Sequence, residues 1–253
     1  MLSGQRAAEF MFRQKDWFKL LSNRWGVVPF GQSERASTRD LMSLSDVDLL
    51  EIYNDVLRRD TVEDFAHRGW FHTLYKDILI EKDILDIGTG LGISSIQFLS
   101  WGNRVTFADL VPSNLELVER IIKLLGIDGD AKFLLVEKFE DLHQVNDLDV
   151  LFSGGSLHHA PREFLTLEYQ ILQSKVRSGG RWLQLAYPKT RWIREGSPKF
   201  EKWGTYTDGP DTPYAMPIDA SFVQSMIAPR ESRVILDYEF HNSDFNWIDL
   251  ELL

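Results

Sequence analysis

The chain of 253 residues contains no cysteine, which excludes disulfides and thiolate metal sites. No run of 18 apolar residues occurs, so no segment is expected to span a membrane. The first residues lack the apolar core and small-residue cleavage site of an export signal, being interrupted by Gln5, Arg6, Glu9 and Arg13. The expected compartment is therefore cytoplasmic. A long basic run is also missing, and the formal net charge is −10. Gripping duplex DNA or folded RNA takes a Lys/Arg surface that displaces counterions. The composition thus points away from nucleic acid and toward a small or neutral partner. Repeats and low-complexity tracts are absent.

What is present supports a full core, with a hydrophobic share of 43%. The texture changes near residue 77 and again near residue 188. Residues 1–76 read as a helical cap dense in aromatics, among them Phe10, Phe12, Trp17, Phe18, Trp25, Trp70, Phe71 and Tyr75. Ser45 and Asp48 resemble a capping box, and Leu49, Tyr53, Val56 and Leu57 behind it keep helical spacing. Residues 77–253 form the second unit.

From Asp83 the period changes. Ile84–Ile87 reads as a strand and Gly92 onward as a helix; Arg104–Asp109 reads as a second strand. Ser113 with Glu116 is expected to cap a helix that Gly126 ends. Further strands are expected over Lys132–Val136, Leu148–Phe152 and Trp182–Tyr187, with a helix over Arg162–Arg177 stopped by Gly179-Gly180. This alternation implies a mostly parallel sheet with helices on both faces. Residues 188–217 carry five prolines and read as a long lid-like loop. Arg233–His241 and Phe245–Leu252 are too close in sequence for a parallel crossover and predict an antiparallel hairpin.

In an open α/β sheet, ligands bind outside the carboxyl ends of the strands. The first strand-to-helix turn here is Asp86-Ile87-Gly88-Thr89-Gly90-Leu91-Gly92. A nicotinamide fingerprint would need glycine at position 93, which is Ile93. Asp109 ends the second of five strands in order, and a terminal hairpin closes the unit.

With these features, residues 83–187 resemble the class I S-adenosylmethionine-dependent methyltransferases. "ILDIGTGLG" looks like their first motif, "VTFADL" their second, "LDVLFSGGSLHHAP" their fourth and "RSGGRWLQLAYP" their fifth strand. The resemblance implies a Rossmann-like seven-stranded sheet with an antiparallel last strand, behind the N-terminal helical cap. It implies S-adenosyl-L-methionine as cofactor, with Gly88 and Gly90 lining its methionine and ribose portion and Asp86 near its amino group. Asp109 would accept hydrogen bonds from both ribose hydroxyls, and Leu110 would pack on the adenine. The family often has an aspartate after strand three. Here Glu137, Lys138 and Phe139 follow instead, leaving Phe139 to stack and Glu137 to accept as two candidates.

The segment His67–Tyr75 leads into strand one, so Arg68 and Tyr75 are candidates for the methionine carboxylate. The alternative is that Trp70, Phe71 and Leu74 simply pack on the sheet. The end of strand four faces the transferring methyl in the family, which makes His158 and His159 the candidate bases for a hydroxyl acceptor. Two adjacent histidines also suggest a metal. Strand five ends Ala186-Tyr187-Pro188 without a carboxylate, however, so no metal is expected. The aromatic and hydroxyl-rich stretch Trp203–Tyr214 suits a polar ring such as a sugar, the alternative being a loop that only solubilises the surface. The expected activity is methyl transfer to a small molecule or glycan unit at oxygen, with the helical cap of residues 1–76 forming part of the acceptor cavity. The alternatives are an RNA or protein methyltransferase and a catalytically silent cofactor-binding interaction module.

Overall fold

The structure is a computed structural model that describes residues 4–26, 37–61 and 69–253; the side chains of residues 4–12 and 61 lie outside that description. Its centre is a seven-stranded sheet. Strands β1 (Asp83–Ile87), β2 (Arg104–Asp109), β3 (Ala131–Leu135), β4 (Leu148–Gly154) and β5 (Val176–Ala186) run parallel. The hairpin β6 (Ser232–Phe240) and β7 (Phe245–Leu252) follows, and β7 inserts antiparallel between β5 and β6. The order is β3-β2-β1-β4-β5-β7-β6, so strand order reverses between β1 and β4.

Helices α1 (Gly4–Trp25), α2 (Thr38–Ser43), α3 (Asp46–Thr61) and α4 (Gly69–Tyr75) precede the sheet. Helices α5 (Ile93–Ser100), α6 (Pro112–Leu124) and α7 (Arg162–Gln173) cross between strands, and a 3-10 helix (Phe139–Gln144) follows β3. Side chains alternate along a strand, so each central strand feeds two cores. Ile84, Val150, Phe152, Leu183 and Trp247 meet α4, α5 and α6 on one face. Leu85, Ile87, Leu151, Trp182 and Leu250 meet α7 and α10 (Ala220–Ile227) on the other. Trp182 and Trp247 are fully buried, and burying a large apolar side chain contributes about 1.5–3 kcal/mol.

Half of the Ser45–Asp48 box forms: the Asp48 N–H donates to Ser45 Oγ at 3.2 Å, while Ser45 Oγ itself donates to the Asp48 carboxylate at 2.6 Å. Three local expectations need correction. Helix α6 starts on Pro112, which needs no donor at the first helical position, and Ser113 makes no cap. Helix α7 ends at Gln173; Gly179-Gly180 lies inside β5 at an irregularity of its pairing with β4, where the backbone of Asp149 passes 2.9 Å from where a Cβ on Gly180 would stand. Residues 188–217 are not all loop, since α8 (Lys189–Arg194) and α9 (Phe200–Thr207) form there. Pro188 stands at the N-cap of α8 and Pro198 just ahead of α9, where proline interferes with no helical hydrogen bond.

Candidate active site

A cavity of about 340 Å³ opens at the carboxyl ends of β1, β2, β4 and β5, over the strand-order reversal. Its floor is the turn after β1. Gly88 holds φ +74°, and a Cβ on it would lie 2.3 Å from Cβ of Ser156, in the loop after β4. Glycine is thus required where two loops touch. Gly90 holds φ +53° with nothing within 4 Å of a notional Cβ, so its backbone faces open space. Asp86 is buried and accepts from Thr89 Oγ1 at 2.6 Å and Ser95 Oγ at 2.5 Å, which fixes the turn from beneath.

Asp109 ends β2 on the adjoining wall. Its two oxygens accept from the backbone N–H of Gly90 at 3.0 Å and of Val111 at 2.8 Å. The carboxylate therefore caps its own turn and also fixes the glycine turn across from it. Burial raises its pKa above the ordinary carboxylate range, while these two amides and the Asn114 side chain oppose the shift. Leu110 and Val136 continue this wall, and Asn114 borders it.

The opposite end of the cavity holds His158 and His159, both buried. Their rings lie 4.1 Å apart, His158 meets Tyr187 edge-on at 4.7 Å, and Trp25 of α1 lies 4.7 Å from His159. Burial holds the His158 imidazole well below the usual histidine range, and neighbouring His159 and Arg191 add to the shift. Asp208, just beyond α9, joins the cluster: Tyr187 Oη donates to Asp208 Oδ1 at 2.8 Å, and His159 Nε2 lies 3.7 Å from Asp208 Oδ2.

The cavity thus gathers Asp86, Gly88, Gly90, Asp109, Leu110, His158 and His159 from the expected set. Phe139 is absent from its lining; it is buried behind Phe18, whose ring meets it edge-on at 5.1 Å. Its position in the 3-10 helix turns it into the core, and Val136 takes the wall instead. Glu137 is exposed. Tyr75 also needs correction. Its hydroxyl donates to Asp249 on β7 and accepts from Trp247 Nε1 at 3.1 Å. Asp249 pairs with Leu183, Leu183 with Phe152 and Phe152 with Asp86. At about 4.8 Å per strand, that places the tyrosine's partner roughly 14 Å to the side of Asp86. Helix α4 crosses the face of the sheet instead of leading to the turn. Arg68 lies outside the described residues.

Trp25 comes from the aromatic cap expected on the acceptor side. Sequence reasoning missed Asn114, which carries no motif. Glu168 on α7 also borders the cavity, and burial pushes its carboxyl up to about 7. The available signal was an acid among Leu165, Tyr169 and Leu172 on the helix's apolar face.

No protein-family model matches the chain. It is 22% identical over 151 residues to the ubiquinone/menaquinone biosynthesis C-methyltransferase UbiE of Zymomonas mobilis, covering 56% of this chain and 60% of that protein. It is 38% identical over 80 residues to a tRNA U34 carboxymethyltransferase of Photobacterium profundum, covering 31% and 24% of the two chains. The matches therefore span less than two thirds of either relative. Among solved structures, the magnesium protoporphyrin IX methyltransferase of Synechocystis with bound S-adenosylmethionine superposes with a TM-score of 0.56. That match has 12% identity and covers 92% of this chain and 96% of that one. An S-adenosylmethionine-dependent methyltransferase of Clostridium acetobutylicum superposes with the same score at 10% identity, covering 81% and 98%. At these identities the likeness establishes the fold, which is the Rossmann-like sheet of the class I methyltransferases.

Proposed function

We propose that the chain is an enzyme that transfers the methyl group of S-adenosylmethionine to a hydroxyl of a small molecule or glycan unit. One observation carries this reading: a single cavity has the glycine turn with Asp109 on one wall and two buried imidazoles on the other. The residues suit the cofactor. Gly90 leaves open space where a side chain would stand. Each Asp109 oxygen accepts one backbone N–H and keeps lone-pair capacity for a hydroxyl. Bound there, the cofactor supplies an already electrophilic methyl on a sulfonium.

The chain's own part is mainly alignment, a proximity problem. The turn Asp86–Gly92 and Asp109 hold one reactant, while Trp25, Tyr187 and the histidines bound the space for the other. A neutral imidazole, of His158 or His159, accepts the proton that the acceptor hydroxyl loses as its oxygen takes the methyl. The net charge of −10 argues against a nucleic-acid acceptor.

S-adenosylhomocysteine should raise the melting temperature of the full chain, by the equivalent of about 2.7 kcal/mol at a hundredfold excess over Kd. Asp109→Ala should abolish that rise, judged against its own ligand-free baseline because the carboxylate also ties two backbone amides. Turnover of S-adenosylmethionine to S-adenosylhomocysteine with sugars and other hydroxylated acceptors then separates an enzyme from a silent binding module. A chain with neither thermal shift nor turnover would falsify the reading.

A further inference from the structure

The acceptor end of the cavity contains polar atoms that alignment alone does not explain. His158 Nδ1 and Nε2 and His159 Nε2 are all buried without a hydrogen-bond partner. An unsatisfied buried polar atom costs about 1–3 kcal/mol, so the fold maintains this lining at a loss unless something binds it. Together with an oxygen of Asp208, one ring nitrogen from each histidine forms a set whose atoms all lie within 4.8 Å of one another.

Two of the three side chains, His159 and Asp208, have supports behind them. His159 Nδ1 lies 2.9 Å from the Tyr214 carbonyl oxygen. A carbonyl only accepts, so Nδ1 carries the hydrogen and Nε2 presents its lone pair to the cluster. Tyr187 Oη donates to the other oxygen of Asp208. Metal-ligating histidines and carboxylates have this pattern of outer partners, which orient the ligand and raise its basicity.

We propose that His158, His159 and Asp208 bind a divalent first-row transition ion of the zinc type, with positions left open for a further ligand. Two imidazoles and one carboxylate favour such an ion over magnesium or calcium, which select all-oxygen sets. Ligand bonds of about 2.0–2.2 Å require the three donor atoms to draw together by roughly 1 Å, a movement within side-chain rotation. Asp208 reaches the histidines from the segment after α9, which is why the carboxylate-free end of β5 gave no sign of the site. Two guanidiniums flank the cluster: Arg24 donates to Thr212 and to the Asp208 carbonyl oxygen, and Arg191 to Glu195. Their charge weakens cation binding. Held by His158, His159 and Asp208, such an ion would supply Lewis acidity toward an acceptor hydroxyl, in place of direct proton acceptance by the ligating imidazoles. The site itself does not depend on the methyl-transfer reading.

The test uses the full chain, stripped with chelator and titrated with Co²⁺ alone, then with Zn²⁺ in competition. The expected result is one saturable equivalent with Co²⁺ ligand-field absorption, displaced by Zn²⁺ and unaffected by Mg²⁺. His159→Gln and Asp208→Asn should each weaken binding at least about tenfold, and Tyr187→Phe, acting through Asp208, about tenfold. Glu51→Gln, an exposed control on α3, should bind like the parent. Circular dichroism and the S-adenosylhomocysteine thermal shift, read on the same variants, separate loss of the metal site from loss of fold or of cofactor binding. If a ligand variant unfolds, the folded Tyr187→Phe protein decides. Absence of saturable Co²⁺ binding in the parent overturns the proposal, as does binding unchanged in the folded variants.

Discussion

Asp109 and Glu168 border one cavity, and burial raises the pKa of both carboxyls, yet their surroundings differ. Asp109 receives two backbone N–H donors and the Asn114 side chain, so hydrogen bonds offset part of its desolvation. Only desolvation acts on Glu168. Its folded pKa of about 7 against an ordinary 4.5 means the native state holds a proton that the unfolded chain has lost. The stability it contributes is therefore full below pH 4.5 and falls as pH rises toward 7. A shift of that size corresponds to something on the order of 3 kcal/mol. Glu168→Gln should accordingly raise the melting temperature at pH 8 and leave it nearly unchanged at pH 4. A variant equally stabilised at both pH values would show that Glu168 is not held protonated.

At the scale of elements, α1 spans the mouth of the cavity. Phe18, Leu21 and Trp25 line it from one helical face, at spacings of three and four residues. Seven residues of helix cover about 10.5 Å, which separates the two ends of the site. Phe18 sits by Phe139, after β3, and Ser22 Oγ donates to the Leu110 carbonyl oxygen at 3.2 Å. Trp25 sits by His159, after β4. Arg24, also buried, donates from Nε to Thr212 Oγ1, in the segment 188–217, at 2.9 Å. Phe18→Ala should therefore weaken S-adenosylhomocysteine binding several-fold, about 1 kcal/mol, with the acceptor KM preserved. Trp25→Ala should raise the acceptor KM and spare cofactor affinity. Calorimetric titration and initial-rate kinetics distinguish the two, and a common effect of both variants on one parameter would remove the division of labour.

Across the whole molecule, the N-terminal helices and the C-terminal hairpin are joined away from the cavity. Arg181 on β5 pairs with Asp249 on β7 through two nitrogens, and Asp249 also accepts from Tyr75 of α4. Burial, reinforced by the charge of Asp249, keeps the Tyr75 hydroxyl protonated. Phe71 stacks on Trp247 at 4.1 Å beside this network. Tyr75→Phe removes a donor to Asp249 and leaves Trp247 Nε1 without its acceptor. It should cost about 1–3 kcal/mol of stability, seen as a lower denaturant midpoint, with unchanged affinity for S-adenosylhomocysteine. Lost affinity at preserved stability would return Tyr75 to the cofactor site.

The sequence by itself determined the strand–turn–helix at Asp83–Gly92, the acid at the end of β2, the parallel order and the closing hairpin. Each is written in local signals: side-chain period, glycines at a turn, or the length of a connection. A period says which face of an element is buried, however, and not which residue lies opposite. Only the tertiary structure turned Phe139 into the core, set Tyr75 three strands from Asp86 and brought Glu168 to the cavity wall. It alone joined Asp208 to the histidines, because residues 188–217 carry no sustained period and their placement depends on distant partners. Arg24 meets Thr212 across 188 positions of sequence, and a contact of that range has no signature in either segment until the chain has folded around both.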